Sequence, residues 1–317
     1  MHLIPKKHAS RHKRSASMPT PPHDMIVRVG CHLVYETEVP TPALMVLRPR
    51  LDENFRVIAE QVNCTPQPMP WEEFTDGYGN NTIRFSLTPG RNEVRHDALV
   101  AVSSAYDLQG DHEPTVPVQS YPAEILRYTL PSRYCDSDKL LNFAWEHFGT
   151  ITHSPARVRA ISDWVHKNVE YRFGSGSPEL SASDVIGRRF GVCRDFAHAV
   201  IALCRCFNIP ARYVTGHLPD IGVHDPGSPM DFHAYAEVYL GSRWYTVDAR
   251  FNTPRISRIK VAHGLDAVDG AFSTLYGAAK LANFEVWAYQ VAPGTVNVGD
   301  PIDMSKRIDG TPTLRWI

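Results

Sequence analysis

The run Arg189-Phe190-Gly191-Val192-Cys193-Arg194-Asp195-Phe196-Ala197-His198-Ala199 constrains the fold more than any other part of the chain. A glycine turn leads into an amphipathic stretch in which Ala197, Val200, Ile201 and Cys204 recur at three and four residues, so a helix opens at the cysteine. Downstream, Asp231 to Leu240 alternates as a strand, Gly241-Ser242 makes a two-residue turn, and Arg243 to Asp248 alternates again. This predicts an antiparallel hairpin with His233 at the start of one strand and Asp248 at the end of the next, brought side by side by the pairing.

A thiol at a helix N-terminus sits where unpaired N–H groups and the positive end of the helix dipole favour a thiolate. With that helix packed on the hairpin, the order Cys193, His233, Asp248 supplies an attacking sulfur, a base that takes and returns a proton, and a carboxylate that fixes the imidazole tautomer. The Cys193 N–H is the expected first oxyanion donor. Asp195 reads as a scaffold carboxylate that accepts first-turn N–H groups or a neighbouring cation.

The G-V-C-R-D-F-A-H run, the segment Asn208 to Gly216, and the motifs H-A-Y-A-E-V-Y-L and R-W-Y-T-V-D resemble, in order and spacing, the bacterial branch of the transglutaminase-like superfamily. The resemblance covers roughly residues 25–292 and is strongest over 185–250. It implies a papain-like core with the nucleophile on Cys193, the base on His233 and the orienting carboxylate on Asp248. In relatives an aromatic side chain upstream of the cysteine supplies a second oxyanion donor, and here that points to Tyr171. Two positions depart from the common pattern: Tyr235 replaces a tryptophan, and Asp248-Ala249-Arg250 replaces Asp-Pro-Thr. Tyr235 and Arg250 therefore bear on substrate preference. Arg250 is either a receiver for a substrate carboxylate or a rim arginine paired with a local acid.

The remaining sequence divides around this block. Residues 1–24 carry five lysines and arginines before the first acid at Asp24 and are expected to be a disordered basic tail, with translation starting at Met25 or Met18 as the favoured alternative to a functional tail. Residues 25–118 read as short strands between turn signals, an N-terminal β-sandwich-like domain with a supporting role. Residues 119–292 form the catalytic domain, with helices from Asp136, Ser154 and Ser181 ahead of Cys193. After Asp248, Arg255 to Val261 is a candidate strand, Leu265 to Phe272 a short helix, and Phe284 to Val291 a strand expected to complete the sheet around the triad. Residues 293–317 are a Pro- and Gly-rich tail. The fold class is thus α+β, a β-sandwich-like domain followed by helices packed on an antiparallel sheet.

Composition narrows the function. With 43% hydrophobic residues, 317 residues can bury a substantial core, and a net charge of -1 gives no reason to expect nucleic acid or an anionic membrane as partner. No run of ~18 apolar residues exists to span a bilayer. Cys31, Cys64 and Cys135 are scattered without pairing logic, and Cys204 and Cys206 read as packing residues, which favours a reduced, cytoplasmic compartment. Among the 15 histidines, His198 faces away from the first turn of its helix, and His217 and His224 fall in a Gly- and Pro-rich loop expected to cover the cleft entrance. No metal or cofactor is expected. The reading is a cysteine peptidase or amidase acting on a peptide or protein substrate through a Cys193 thioester. The alternatives are an amine-transferring transglutaminase, a non-catalytic peptide-binding module, and a metal hydrolase that would need His217, His224 and His233 to converge.

Overall fold

The computed structural model describes residues 23–67, 69–223 and 229–309. The expected basic tail, apart from its last two residues, lies outside these, as do His224 and the end of the C-terminal tail. Six strands come first: β1 (Met25–Thr37), β2 (Thr41–Met45), β3 (Phe55–Thr65), β4 (Glu72–Thr75), β5 (Asn81–Leu87) and β6 (Gly90–Val102). The middle of the chain holds α1 (Ala123–Leu126), α2 (Ser137–Phe148), α3 (Ser154–Asn168), β7 (Glu170–Tyr171), α4 (Ala182–Arg188), β8 (Phe190–Gly191) and α5 (Cys193–Arg205). Then follow β9 (Ala211–His217), β10 (His233–Leu240), β11 (Arg243–Val247), β12 (Ile259–Gly264), β13 (Ser273–Leu275) and β14 (Ala279–Val291). No helix among the described residues is long and apolar enough to cross a membrane.

Two four-stranded sheets, in the orders β14-β1-β6-β3 and β13-β2-β5-β4, make the β unit. Alternate residues of β1 (Cys31, Leu33, Tyr35) meet Ala43 and Met45 of β2 and Ile83, Phe85 and Leu87 of β5 in one shared core. The C-terminal strand corrects the sequence reading. Phe284 to Val291 does not extend the sheet of the triad; β14 pairs antiparallel with β1 along almost its whole length, from Ile26 opposite Val291 to Thr37 opposite Ala279. Alternation identifies a strand but not its partner. Trp287 is locked there by its indole N–H, which donates to Asp97 at 3.1 Å, and the same carboxylate takes Arg28 at 2.7 Å. Arg28 also donates to the carbonyls of Asp300 and Pro301, so the tail after Pro293 docks on this sheet up to Asp309.

The sheet that carries His233 has the order β11-β10-β9-β12. Ala234, Ala236, Val238 and Leu240 of β10 face α5 and join Val200, Ile201 and Leu203 in the core, with α2, α3 and α4 packed round the helix. The opposite face carries His233, Tyr235 and Glu237. Buried Glu237 accepts from Arg212 and Lys260, both at 2.6 Å, and these cations outweigh burial to hold its pKa down to about 2. Lys260 also pairs with Asp52 at 3.0 Å, and the Asn80 side chain exchanges hydrogen bonds with the backbone of His263, so the β unit covers this polar face.

Two local readings are also corrected. Leu265 to Phe272 is a set of turns without a helix. Asp136 stands at the start of α2 but its carboxylate caps α4, accepting from the Ser183 N–H at 3.0 Å and from the Ser181 hydroxyl at 2.8 Å.

Candidate active site

The thiol is placed by two devices. Strand β8 pairs in parallel with β7, Tyr171 opposite Gly191, and ends two residues before Cys193 becomes the first residue of α5. As the first helical residue, Cys193 has an N–H with no intrahelical acceptor. Asp195, fully buried, folds back to accept the Val192 N–H at 3.0 Å and pairs with Arg188 at 3.2 Å and Arg194 at 3.3 Å. That fold-back needs Gly191: a Cβ there would lie 2.6 Å from both Cβ and Oδ2 of Asp195. Of the six cysteines, Cys193 alone is not buried. Burial pushes the Cys31, Cys135 and Cys206 thiols up to about 12.

The hairpin turns at Gly241, whose φ of +59° suits glycine, and pairs Ala236 with Val247. Continued alternation puts Asp248 on the face that carries His233 and Tyr235. His233 Nε2 and Asp248 Oδ2 are 2.7 Å apart, which leaves Nδ1 for the thiol. The thiol itself points to the Phe232 carbonyl at 3.9 Å. Burial would lower the His233 pKa, but the Asp248 carboxylate and the Cys193 thiol outweigh it and raise it to about 9. Asp248 is held well below the usual carboxylate range, because His233 and Arg258 together overcome its burial.

Arg258 was not legible in the sequence. Its Nη2 donates to Asp248 Oδ2 at 2.9 Å, its Nε donates to Asp107 at 2.9 Å, and its guanidinium lies 4.6 Å from the centre of the Tyr235 ring. A single arginine inside the candidate strand Arg255 to Val261 carries no local signal. Tyr235, expected to bear on substrate preference, is not among the residues lining the cleft; it is buried beneath Arg258, with its ring stacked 6.2 Å from His233.

The cleft in front of the thiol has a volume of about 500 Å³ and is lined by Cys193, His233, Tyr171, Arg250 and the rings of Phe173, Phe251 and Phe272, among others. Tyr171 is half-buried, and burial, with the thiol nearby, raises its pKa. Arg250 stacks on Tyr171 at 3.5 Å and on Phe251 at 4.8 Å. The local acid expected for it as one reading is not found: among the described residues no carboxylate lies within ion-pair distance of Arg250. Arg194 is spoken for by the Ser177 carbonyl at 2.6 Å and by Asp195.

The rival histidines lie elsewhere. His198 is fully buried, stacked on Tyr134, and accepts the Ala267 N–H at 3.1 Å; burial drives its pKa down to about 3. His217 is not in a loop but ends β9, buried with its ring 4.9 Å from Phe232. It does not share the cleft with His233.

The family model described as the transglutaminase-like superfamily matches residues 143–249, which include Cys193, His233 and Asp248. The crystal structure of a protein from Cytophaga hutchinsonii, described as a "putative cysteine protease", shares 34% identity with a TM-score of 0.76, over 86% of this chain and 92% of that one. An uncharacterized protein of Mycobacterium leprae (strain TN) is 30% identical over 212 residues, 62% of this chain and 72% of its own length. Another, from Mycobacterium tuberculosis (strain H37Rv), is 28% identical over 211 residues, 61% of this chain and 66% of its own length. These likenesses support a thiol-dependent enzyme in general terms, and they show that the chain belongs to the transglutaminase-like superfamily.

Proposed function

We propose that the protein is a thiol-dependent acyl hydrolase or transferase that acts on peptide, isopeptide or side-chain amide bonds, most directly as a cysteine peptidase or amidase. The observation that carries this reading is the placement of His233 between the Cys193 thiol and the Asp248 carboxylate at the edge of an open cleft. The Cys193 sulfur attacks the amide carbonyl, and the oxyanion is received by the Cys193 N–H and the Tyr171 hydroxyl. As the C–N bond breaks, His233 gives its proton to the leaving amine, and a thioester remains on Cys193. His233 then takes a proton from the attacking water, and the thioester resolves to acid and free thiol. Charged groups (Arg194, Asp231 and Arg250) line the cleft beside its aromatic rings, so it admits water, which favours hydrolysis over transfer to an amine.

On the substrate side, Arg250 is the group fitted to hold an acidic side chain or carboxyl terminus of the acyl substrate, since its rings orient the guanidinium and no carboxylate among the described residues claims it. Arg250→Gln should raise KM for acidic peptides about tenfold with little change in kcat, the loss of one charge-assisted contact. Equal KM values for acidic and neutral peptides in both proteins would remove Arg250 from substrate binding.

The reading is tested by following Cys193 alkylation with iodoacetamide from pH 5 to 10 in the wild type and in His233→Ala, and by mass spectrometry of the acyl-enzyme formed from a peptide ester with and without n-butylamine. Expected are labelling at mildly acidic pH that His233→Ala suppresses, a Cys193 adduct, and an acid product. An amide product would place the chain among amine transferases. Labelling indifferent to His233, with no adduct, would leave the non-catalytic binding module.

A further inference from the structure

Beyond the three residues of the reaction, a fourth and a fifth are joined to them by unbroken hydrogen bonds: Asp107 to Arg258, Arg258 to Asp248, and Asp248 to His233. Neither lies in the stretch 143–249 matched by the family model. Asp107 belongs to the connector that leaves β6 of the β unit, and Arg258 immediately precedes β12. We propose that Arg258, anchored by Asp107, is a positioning residue that holds its charge against Asp248 and so sets the proton affinity of His233, so that the connector from the β unit completes the active site.

The geometry argues for this in three ways. Asp248 Oδ2 takes both the His233 ring nitrogen at 2.7 Å and Arg258 Nη2 at 2.9 Å, whereas its Oδ1 is buried without a hydrogen-bond partner. A carboxylate held by one oxygen from two sides cannot rotate without breaking both bonds. Asp107 is itself fixed: its backbone N–H donates to the Arg255 carbonyl at 2.8 Å and its carboxylate accepts the Arg255 N–H at 2.9 Å, beside the bridge between Tyr106 and Ile256. The guanidinium is nearly buried and rests on Tyr235, so its charge acts through protein rather than water.

The charged and titratable groups facing Arg258 are Asp107 from the connector, Asp248 from the end of β11, Tyr235 from β10 and Arg255 from its own segment. Those facing His233 are Asp248, Cys193 and Asp231. A buried cation on the far side of Asp248 tempers the pull of that carboxylate on the imidazolium, and Asp107 in turn tempers the cation. The two neighbours should therefore move His233 in opposite directions. A purely architectural pair would not: losing either partner would loosen Asp248 from His233, and both losses would lower its titration midpoint.

The inference rests on the triad reading, so the experiment separates the two. The full chain labelled with [15N]histidine is titrated by NMR, with His233 assigned by its disappearance in His233→Gln, for the wild type, Arg258→Gln, Arg258→Lys, Asp107→Asn and Arg258→Gln/Asp107→Asn, each checked by thermal melting. Expected is a midpoint raised by about one pH unit in Arg258→Gln, lowered in Asp107→Asn, and near the wild type in Arg258→Lys and in the double variant. Midpoints that do not move, or that fall in both single variants, overturn the proposal. Should Arg258→Gln alone fail to fold, the double variant decides it: a return of the lowered Asp107→Asn midpoint towards the wild type supports the proposal, and a further fall overturns it. A His233 midpoint in the wild type that is unaffected by Cys193→Ser and Asp248→Asn would instead sink the triad itself.

Discussion

At the scale of the residue, the chemistry of the site reduces to one imidazole between a sulfur and a carboxylate. His233 has an ordinary pKa of 6.5, raised to about 9 in the folded chain. A group whose native pKa is raised stabilises the fold fully below its unfolded value and loses that contribution as pH rises through its native value. The pH-dependent part of the stability gap between the wild type and His233→Gln, read from thermal melts, is therefore expected to shrink between about pH 6.5 and 9. Asp248 works with the opposite sign, stabilising above its ordinary value of 3.8 and failing only as acid reaches its depressed native value. For the proposed reaction the protonated imidazole donates to the leaving amine, so kcat/KM should decline above about pH 9. A profile flat to pH 10 would mean that another acid serves. Cys193, His233 and Asp248 were legible because each sits at a fixed offset from a helix start or a hairpin turn. Arg258 was not, because what matters about it is a partner ten residues back and another 151 residues away.

At the scale of the element, the hairpin and helix α5 follow directly from local pattern. Alternation, the Gly241 turn and the three- and four-residue spacing of apolar positions depend only on near neighbours, and they gave the right facing for His233 and Asp248. Cap partners are less accessible. Asp136 opens α2, yet its carboxylate serves α4 through Ser181 and Ser183, because a carboxylate caps whichever N-terminus packing brings to it. The entry to α5 carries its own prediction. Gly191→Ala places a methyl group against the root of the Asp195 side chain, which cannot swing away without giving up Val192 N–H, Arg188 and Arg194. Urea unfolding should show a loss of about 1–3 kcal/mol, and Cys193 labelling should slow with it. Unchanged labelling would show that the nucleophile does not depend on this cap.

At the scale of the whole molecule, the fold class was visible in the sequence and the connectivity was not. The β unit was expected to be complete by residue 118, but β1, paired along one edge with β6, finds the partner for its other edge only in β14. Nothing in an alternating run names the strand it will join, and an aromatic strand suits either sheet. The seam between β1 and β14 is closed by Trp287, buried and bonded to Asp97. Trp287→Ala is expected to cost about 3–5 kcal/mol in denaturant unfolding, although it lies far from the thiol in sequence and in a different sheet.

The pairing of β1 with β14 also sets a timetable. A chain leaves the ribosome from its N-terminal end, and β1, made well before β14, must wait with one edge unpaired until Cys193, His233 and Asp248 have all been synthesised. The enzyme core is in effect inserted into a sandwich that is begun first and finished last. A chain stopped short of β14 would hold Cys193, His233 and Asp248 on a scaffold still open at its seam.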